Sequence, residues 1–287
     1  MITPSIEHRE ATVHGAPDVD LFVQSWQPAG AIRGAVAIVH GIGEHSGRYS
    51  YLVERLAERG FAVAALDNRG HGRSGGTPGH IDSWSEYRED VRAFLRYVSA
   101  QFMGMPLFLY GHSLGALIVT DYVLFHPDGL DGLIVSGNPL HPTGSAKPVL
   151  VMLARILSRY KPKISFQLGL DDDALSRDPE VVKAYREDPL VHRSVTARWG
   201  TETLAAIDRV RARASEIRLP LLILHGGADR INSPEGSREL FNLVSSADKQ
   251  LRVYPGGYHE PHNDLDRGAV ASDVIEWLID HATKSGN

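Results

Sequence analysis

The residues GHSLG at 111–115 place a serine between two glycines. They follow PLFLY, a continuous apolar run, and precede ALIVTDYVLF, which reads as a helix. A nucleophilic serine needs that setting. On a sharp strand-to-helix turn its hydroxyl projects above the sheet, and flanking glycines let main chains pack against a strained residue. Serine alone is a weak nucleophile near neutral pH. It needs a histidine to take its proton and a carboxylate to orient that histidine. Two later strand-like runs end in these groups: LLILHGGAD (221–229) at Asp229 and LRVYPGGYH (251–259) at His259. Their chain order after Ser113 suits acyl transfer above one edge of a parallel sheet.

Other residues compete for these roles. His262 lies three positions past His259 and is an alternative base. Asp208 and Asp248 are not at strand ends and read as solvated helix or turn residues. In DNRGHGRSGG (67–76), Asp67 and His71 could be mistaken for a catalytic pair, but the glycine density points to a tight structural loop with Asp67 bonded to backbone. HEPH (259–262) is not HExxH, and Pro261 blocks the regular helix that would stack two ligands, so no metal is expected. The absence of cysteine excludes disulfides and a thiol nucleophile.

A tetrahedral intermediate also needs two donors for its oxyanion. The Leu114 amide, just after the nucleophile, is one. The other is expected from HGIGEH (40–45), which follows the apolar run AVAIV, with the Ile42 amide turned inward between Gly41 and Gly43.

These groups require a particular scaffold. Residues 6–13 and 19–26 read as a hairpin. AVAIVH (35–40), FAVAAL (61–66), PLFLYG (106–111), GLIVS (132–136), LPLLILHG (219–226) and LRVYP (251–255) are mostly continuous apolar runs, as in strands covered on both faces. Helical patterns alternate with them. One ends at Gly60, one near 84–101 starts with a Ser83–Glu86 capping box, one starts at Ser233-Pro234, and one spans 268–282. The expected fold is a doubly wound α/β sheet. More than eighty residues separate GLIVS from LPLLILHG, too many for a crossover. Residues 141–215 therefore read as an inserted cap on a core formed by 1–140 and 216–287. In the cap, VLVMLARILSRY (149–160) is apolar on most of its surface, with Arg155, Ser158 and Arg159 on one side.

The bulk properties narrow the function further. The 287 residues carry a formal charge of −5 without a basic block, which argues against nucleic acid. MITPSIEHRE lacks a secretory pattern, and no run approaches a membrane span, so a soluble cytoplasmic protein is expected.

HGIGEHSGRY, DNRGHGRSGG, GHSLG, LSRDPEVVKAYREDPLVHR (175–193), LHGGADR (224–230) and YHEPH resemble, in the same order, segments of the monoacylglycerol lipase family of serine hydrolases. The similarity runs from about residue 20 to 280. It implies an α/β-hydrolase fold of about eight strands with a helical lid, and cleavage of monoacylglycerols without metal or organic cofactor. Ser113, Asp229 and His259 would form the triad, with Ile42 and Leu114 as oxyanion donors. Glu44, Arg48 and His262 would surround the polar end of the pocket, where a glycerol head group binds. The plainer reading of Glu44 and Arg48 is a loop salt bridge, worth little if exposed. The family also implies a lid with an apolar outer surface, and the apolar helix at 149–160 motivates transient contact with a membrane or lipid-droplet surface. A lysophospholipase, a broad esterase and a non-catalytic scaffold are the competing readings. HPTGSAKPV (141–149) matches no assignable pattern.

Overall fold

The structure is a computed structural model that describes residues 6–143 and 148–284. Within HPTGSAKPV, residues 144–147 lie outside the described residues, as do the side chains of 148–151. So do the first five residues of MITPSIEHRE. The chain runs β1 Ile6–Gly15, β2 Val19–Pro28, β3 Gly34–Val39, α1 Ser50–Glu58, β4 Phe61–Leu66, α2 Ser85–Gln101, β5 Leu107–His112, α3 Leu114–Val123 and β6 Gly132–Ser136. It continues α4 Pro148–Tyr160, β7 Ser165–Gln167, α5 Pro179–Glu187, β8 Ser194–Thr196, α6 Ala197–Arg213, β9 Leu221–Gly226, α7 Pro234–Leu243, β10 Lys249–Tyr254 and α8 Arg267–Lys284.

Eight strands form one sheet in the order β1-β2-β4-β3-β5-β6-β9-β10. β1 and β2 form the expected antiparallel hairpin, and β2 meets β4 antiparallel. β4, β3, β5, β6, β9 and β10 are parallel. Their C-terminal ends share one edge, which carries the loops to Ile42, Ser113, Asp229 and His259. From β3 the chain steps to β4 on one side and to β5 on the other. That reversal opens a crevice at the ends of β3 and β5, where open α/β sheets bind ligands.

The continuous apolar runs follow from coverage of both faces. In β3, Ala35, Ala37 and Val39 join one core cluster with side chains of α2 and α3, while Val36 and Ile38 join a second with α1 and α8. Helix ends are set locally. Gly60 follows α1 at φ +85, and Ser233 Oγ accepts from the Glu235 amide with Pro234 in the first turn of α7.

Two sequence expectations need correction. No capping box forms at α2, because Glu86 is engaged elsewhere. Its carboxylate takes Arg69 Nη1 at 2.8 Å, and Arg69 also forks onto Asp90 at 2.5 and 2.7 Å. This buried cluster ties the DNRGHGRSGG loop to α2 and, through the Ala16 carbonyl, to the hairpin. Ser158 does not share an outer polar side with Arg155 and Arg159. It is buried against α6, its Oγ 2.8 Å from Thr201 Oγ1 and its carbonyl accepting from Arg198. Met152, Leu153, Ile156 and Tyr160 are exposed apolar residues of α4, beside the exposed Arg155 and Arg159. The second half of α6 packs back on the core, with Ala206, Ile207 and Val210 in the same cluster as α3.

Removing one partner of a buried ion pair strands the other charge. Asp90→Ala is expected to lower unfolding stability in urea by about 3 kcal/mol. Glu7→Ala, in the exposed Arg9–Glu7 pair, should leave the urea midpoint unchanged.

Candidate active site

Ser113 sits between β5 and α3 at φ 52, ψ −117, a region costly for a residue with a side chain. The flanking glycines are required by contact. A Cβ on Gly111 would lie 2.4 Å from the Gly115 carbonyl oxygen, and one on Gly115 would lie 2.1 Å from that of Val39. β3 and the start of α3 thus meet main chain to main chain around the serine.

His259 Nε2 is 3.0 Å from Ser113 Oγ, and His259 Nδ1 is 2.8 Å from Asp229 Oδ2. With Asp229 ionised, Nδ1 donates to it and Nε2 accepts from the serine hydroxyl. His262 makes no such contact, so only His259 is placed to act as base. Asp229 is itself held: its Oδ1 accepts from the amides of Ile231 (2.7 Å) and Asn232 (3.0 Å), and His225 Nε2 lies 3.2 Å from Oδ2. Burial opposes the charge on Asp229, but His259 and His225 outweigh it and hold the carboxyl below its ordinary range. Burial likewise opposes a charged His259, and Asp229 outweighs it, raising the imidazole above its usual value.

The amides of Ile42 and Leu114 have no hydrogen-bond partner among the described residues, and both residues line the cavity beside Ser113. The loop bearing Ile42 is clamped on both sides. Glu44 Oε1 accepts from the Gly41 amide at 2.6 Å and from Tyr49 Oη at 2.9 Å. On the other side Gly43 accepts from the His192 amide. Gly43 has φ +75, and a Cβ there would lie 2.3 Å from the His192 oxygen.

Glu44 and Arg48 do pair, at 3.3 Å, but they are buried rather than exposed. Arg48 Nη2 also takes both oxygens of Glu260, at 2.7 and 2.6 Å. Burial opposes the Glu260 charge, but Arg48 holds its pKa low. Burial and the Glu260 charge push Glu44 up. The cavity is lined by Glu44 and Glu260, whereas Arg48 and His262 are not in the lining. His262 stacks on Tyr49 at 4.5 Å, and burial lowers it to about 4. Sequence reasoning missed Glu260 and His225. Each stands inside a motif already singled out; Glu260 takes its partner Arg48 from a distant segment, and His225 faces Asp229 four residues on. Asp67 accepts from the amides of Ser46 and Arg73, as its loop suggested, and Asp248 pairs with His281 away from Ser113. Among the described residues no cluster is arranged to hold a metal.

The cavity measures about 320 Å³. Leu117, Leu168, Leu170, Trp199, Leu204, Ile207 and Ile231 give it a mostly apolar lining.

The family model for serine aminopeptidase, S33, matches residues 30–266. A monoacylglycerol lipase of Mycolicibacterium smegmatis is 38% identical over 276 residues, covering 96% of this chain and 97% of its own. The chain belongs to the monoacylglycerol lipase family of serine hydrolases. Human monoglyceride lipase is 32% identical over 271 residues, 93% of this chain and 89% of its own. The crystal structure of Paleococcus ferrophilus monoacylglycerol lipase, 36% identical, superposes with a TM-score of 0.81 over 96% of this chain and 99% of that one. The sheet order and flanking helices are those of this family's α/β-hydrolase fold.

With His259 as the expected base, its raised pKa predicts the acid limb of activity. Only the neutral ring can accept the serine proton, so activity is lost as the pH falls through its pKa. The kcat/KM profile should therefore fall on the acid side with its midpoint displaced upward from that of an ordinary imidazole. Asp229→Asn should remove that support and cost about 10⁴-fold in kcat.

Proposed function

We propose that this chain hydrolyses lipid carboxylic esters, monoacylglycerols foremost, through an acyl-enzyme on Ser113. One observation carries the reading: an apolar cavity opens directly onto a hydrogen-bonded Ser113–His259–Asp229 chain. The acyl chain occupies the cavity. Ser113 Oγ attacks the ester carbonyl while His259 takes its proton, and the oxyanion receives the Ile42 and Leu114 amides. His259 then protonates the departing glycerol oxygen. Water, deprotonated by the same histidine, cleaves the acyl-serine and releases the fatty acid.

Glu44 first serves the oxyanion loop, since its carboxylate is occupied by Gly41, Tyr49 and Arg48. Its place in the cavity lining favours a second role for Glu44, backed by Arg48 and His262, in reading the glycerol head group.

The deciding experiment is a hydrolysis profile over monoacylglycerols, lysophospholipids, p-nitrophenyl esters and aminoacyl anilides. Monoacylglycerols are expected to react fastest. Preferential cleavage of the anilides would overturn the ester reading. A fluorophosphonate probe should label the wild type and not Ser113→Ala. Glu44→Ala is expected to lower kcat on all esters on the order of 10²-fold, as misplacing one oxyanion donor does. A fall confined to glycerol esters would instead assign Glu44 mainly to the head group.

We further propose that residues 141–215 form a cap whose outer face touches lipid. Met152, Leu153, Ile156 and Tyr160 of α4 and Phe166 of β7 are exposed there, and apolar side chains gathered on a surface mark a contact site. Among the described residues no helix is long and apolar enough to cross a membrane. The chain should co-sediment with phosphatidylcholine vesicles, and Leu153→Glu with Ile156→Glu should reduce the bound fraction several-fold. Equal binding by the double variant would refute the contact.

A further inference from the structure

Gly200 lies inside α6, where glycine weakens a helix relative to alanine because of the backbone freedom it must lose. The usual reasons for glycine are absent. Its φ is not positive, and a Cβ placed on it would meet no described atom within 4 Å. Gly43, Gly111 and Gly115 differ, since a Cβ on each would collide with main chain. What distinguishes Gly200 is the direction it faces. Thr203, Leu204 and Ile207 follow it at the i+3, i+4 and i+7 positions, and all four line the cavity. Gly200 is therefore the one position without a side chain on the stripe that α6 presents to the cavity. Among the described atoms, the space a side chain would fill there is open.

We propose that Gly200 is a specificity-determining residue: its missing side chain leaves room in the cavity for a long acyl chain. The inference rests on the ester-hydrolase reading and deepens it. A larger residue at 200 would project among Thr203, Leu204 and Ile207 and occupy volume that the distal methylenes of the substrate use. A short acyl group fits in what remains, while a long one must displace the new side chain or leave methylenes in water. Excluded methylenes in an apolar pocket change specificity by roughly tenfold or more.

The test compares Gly200→Ala, Gly200→Leu and Gly200→Phe with the wild type. Each is assayed on butanoyl, octanoyl, dodecanoyl and hexadecanoyl monoglycerides and titrated with a fluorophosphonate probe. In Gly200→Leu and Gly200→Phe the ratio of kcat/KM for dodecanoyl over butanoyl ester should fall about tenfold or more, further for Phe than for Leu. Gly200→Ala should melt about 2 °C higher than wild type, as a helix gains from alanine where nothing collides. It should also show a smaller fall in the hexadecanoyl-to-butanoyl ratio, which keeps the test decisive if the larger variants misfold. Unchanged ratios in variants that still label would overturn the inference and leave the hydrolase reading intact. A lower melting temperature for Gly200→Ala would also overturn it, by showing that the position is glycine for packing. A wild type that neither labels nor cleaves any of the four esters sinks the hydrolase reading and this inference together.

Discussion

Main-chain contact between the end of β3 and the start of α3 is the constraint on which the site depends. Gly115 approaches the Val39 and His40 carbonyls more closely than any side chain permits. That contact holds Ser113 in its strained conformation and brings the loop after β3 alongside it. Two amides from segments some seventy residues apart, Ile42 and Leu114, can then converge on one point. The strain at Ser113 persists because the glycines, the sheet register and the serine amide's bond to the Ser136 carbonyl together determine its position.

Around this contact the chain buries an unusual density of ionisable groups, and their arrangement keeps charge where it is useful. Arg48 bridges Glu44 and Glu260; with one positive charge for two carboxyl groups it holds the Glu260 charge, while burial and Glu260 push Glu44, which grips the loop of Ile42, upward. Burial lowers His40, His112 and His262 below the usual imidazole value. His112 packs 4.9 Å from His259 and His262 packs on Tyr49, while His40 packs on His71, all as neutral aromatics. His259 is shifted the other way, because its Nδ1 donates to the buried carboxylate of Asp229.

The sequence revealed most of the positions and fewer of the partnerships. The strands were legible because β3, β4 and β5 are apolar on both faces. Ser113 and Asp229 were legible because each follows such a strand, and His259 because it follows the Gly-Gly turn after β10, a half-buried edge strand. Ser158 was misplaced because helical periodicity reports polarity, not which side finds a partner, and Thr201 supplied one from α6. The Ser83–Glu86 pattern failed because Arg69, fourteen or more positions upstream, competes for Glu86 with a full charge. Glu260 stood inside YHEPH and still passed unnoticed, since its importance lies in Arg48, 212 residues away.

The loop carrying His259 is also bonded outward. Its amide donates to the Ala174 carbonyl, the Glu260 amide donates to that of Leu175, and Arg177 pairs with Asp264. Residues 192–196 are fastened to Gly43 and Gly79 in the same way. The interval between β6 and β9 therefore cannot swing away as one rigid flap without dragging the base off the serine. The segment is thus bolted along the side that carries Ala174, Leu175 and residues 192–196, while its exposed apolar helix, α4, packs on α6.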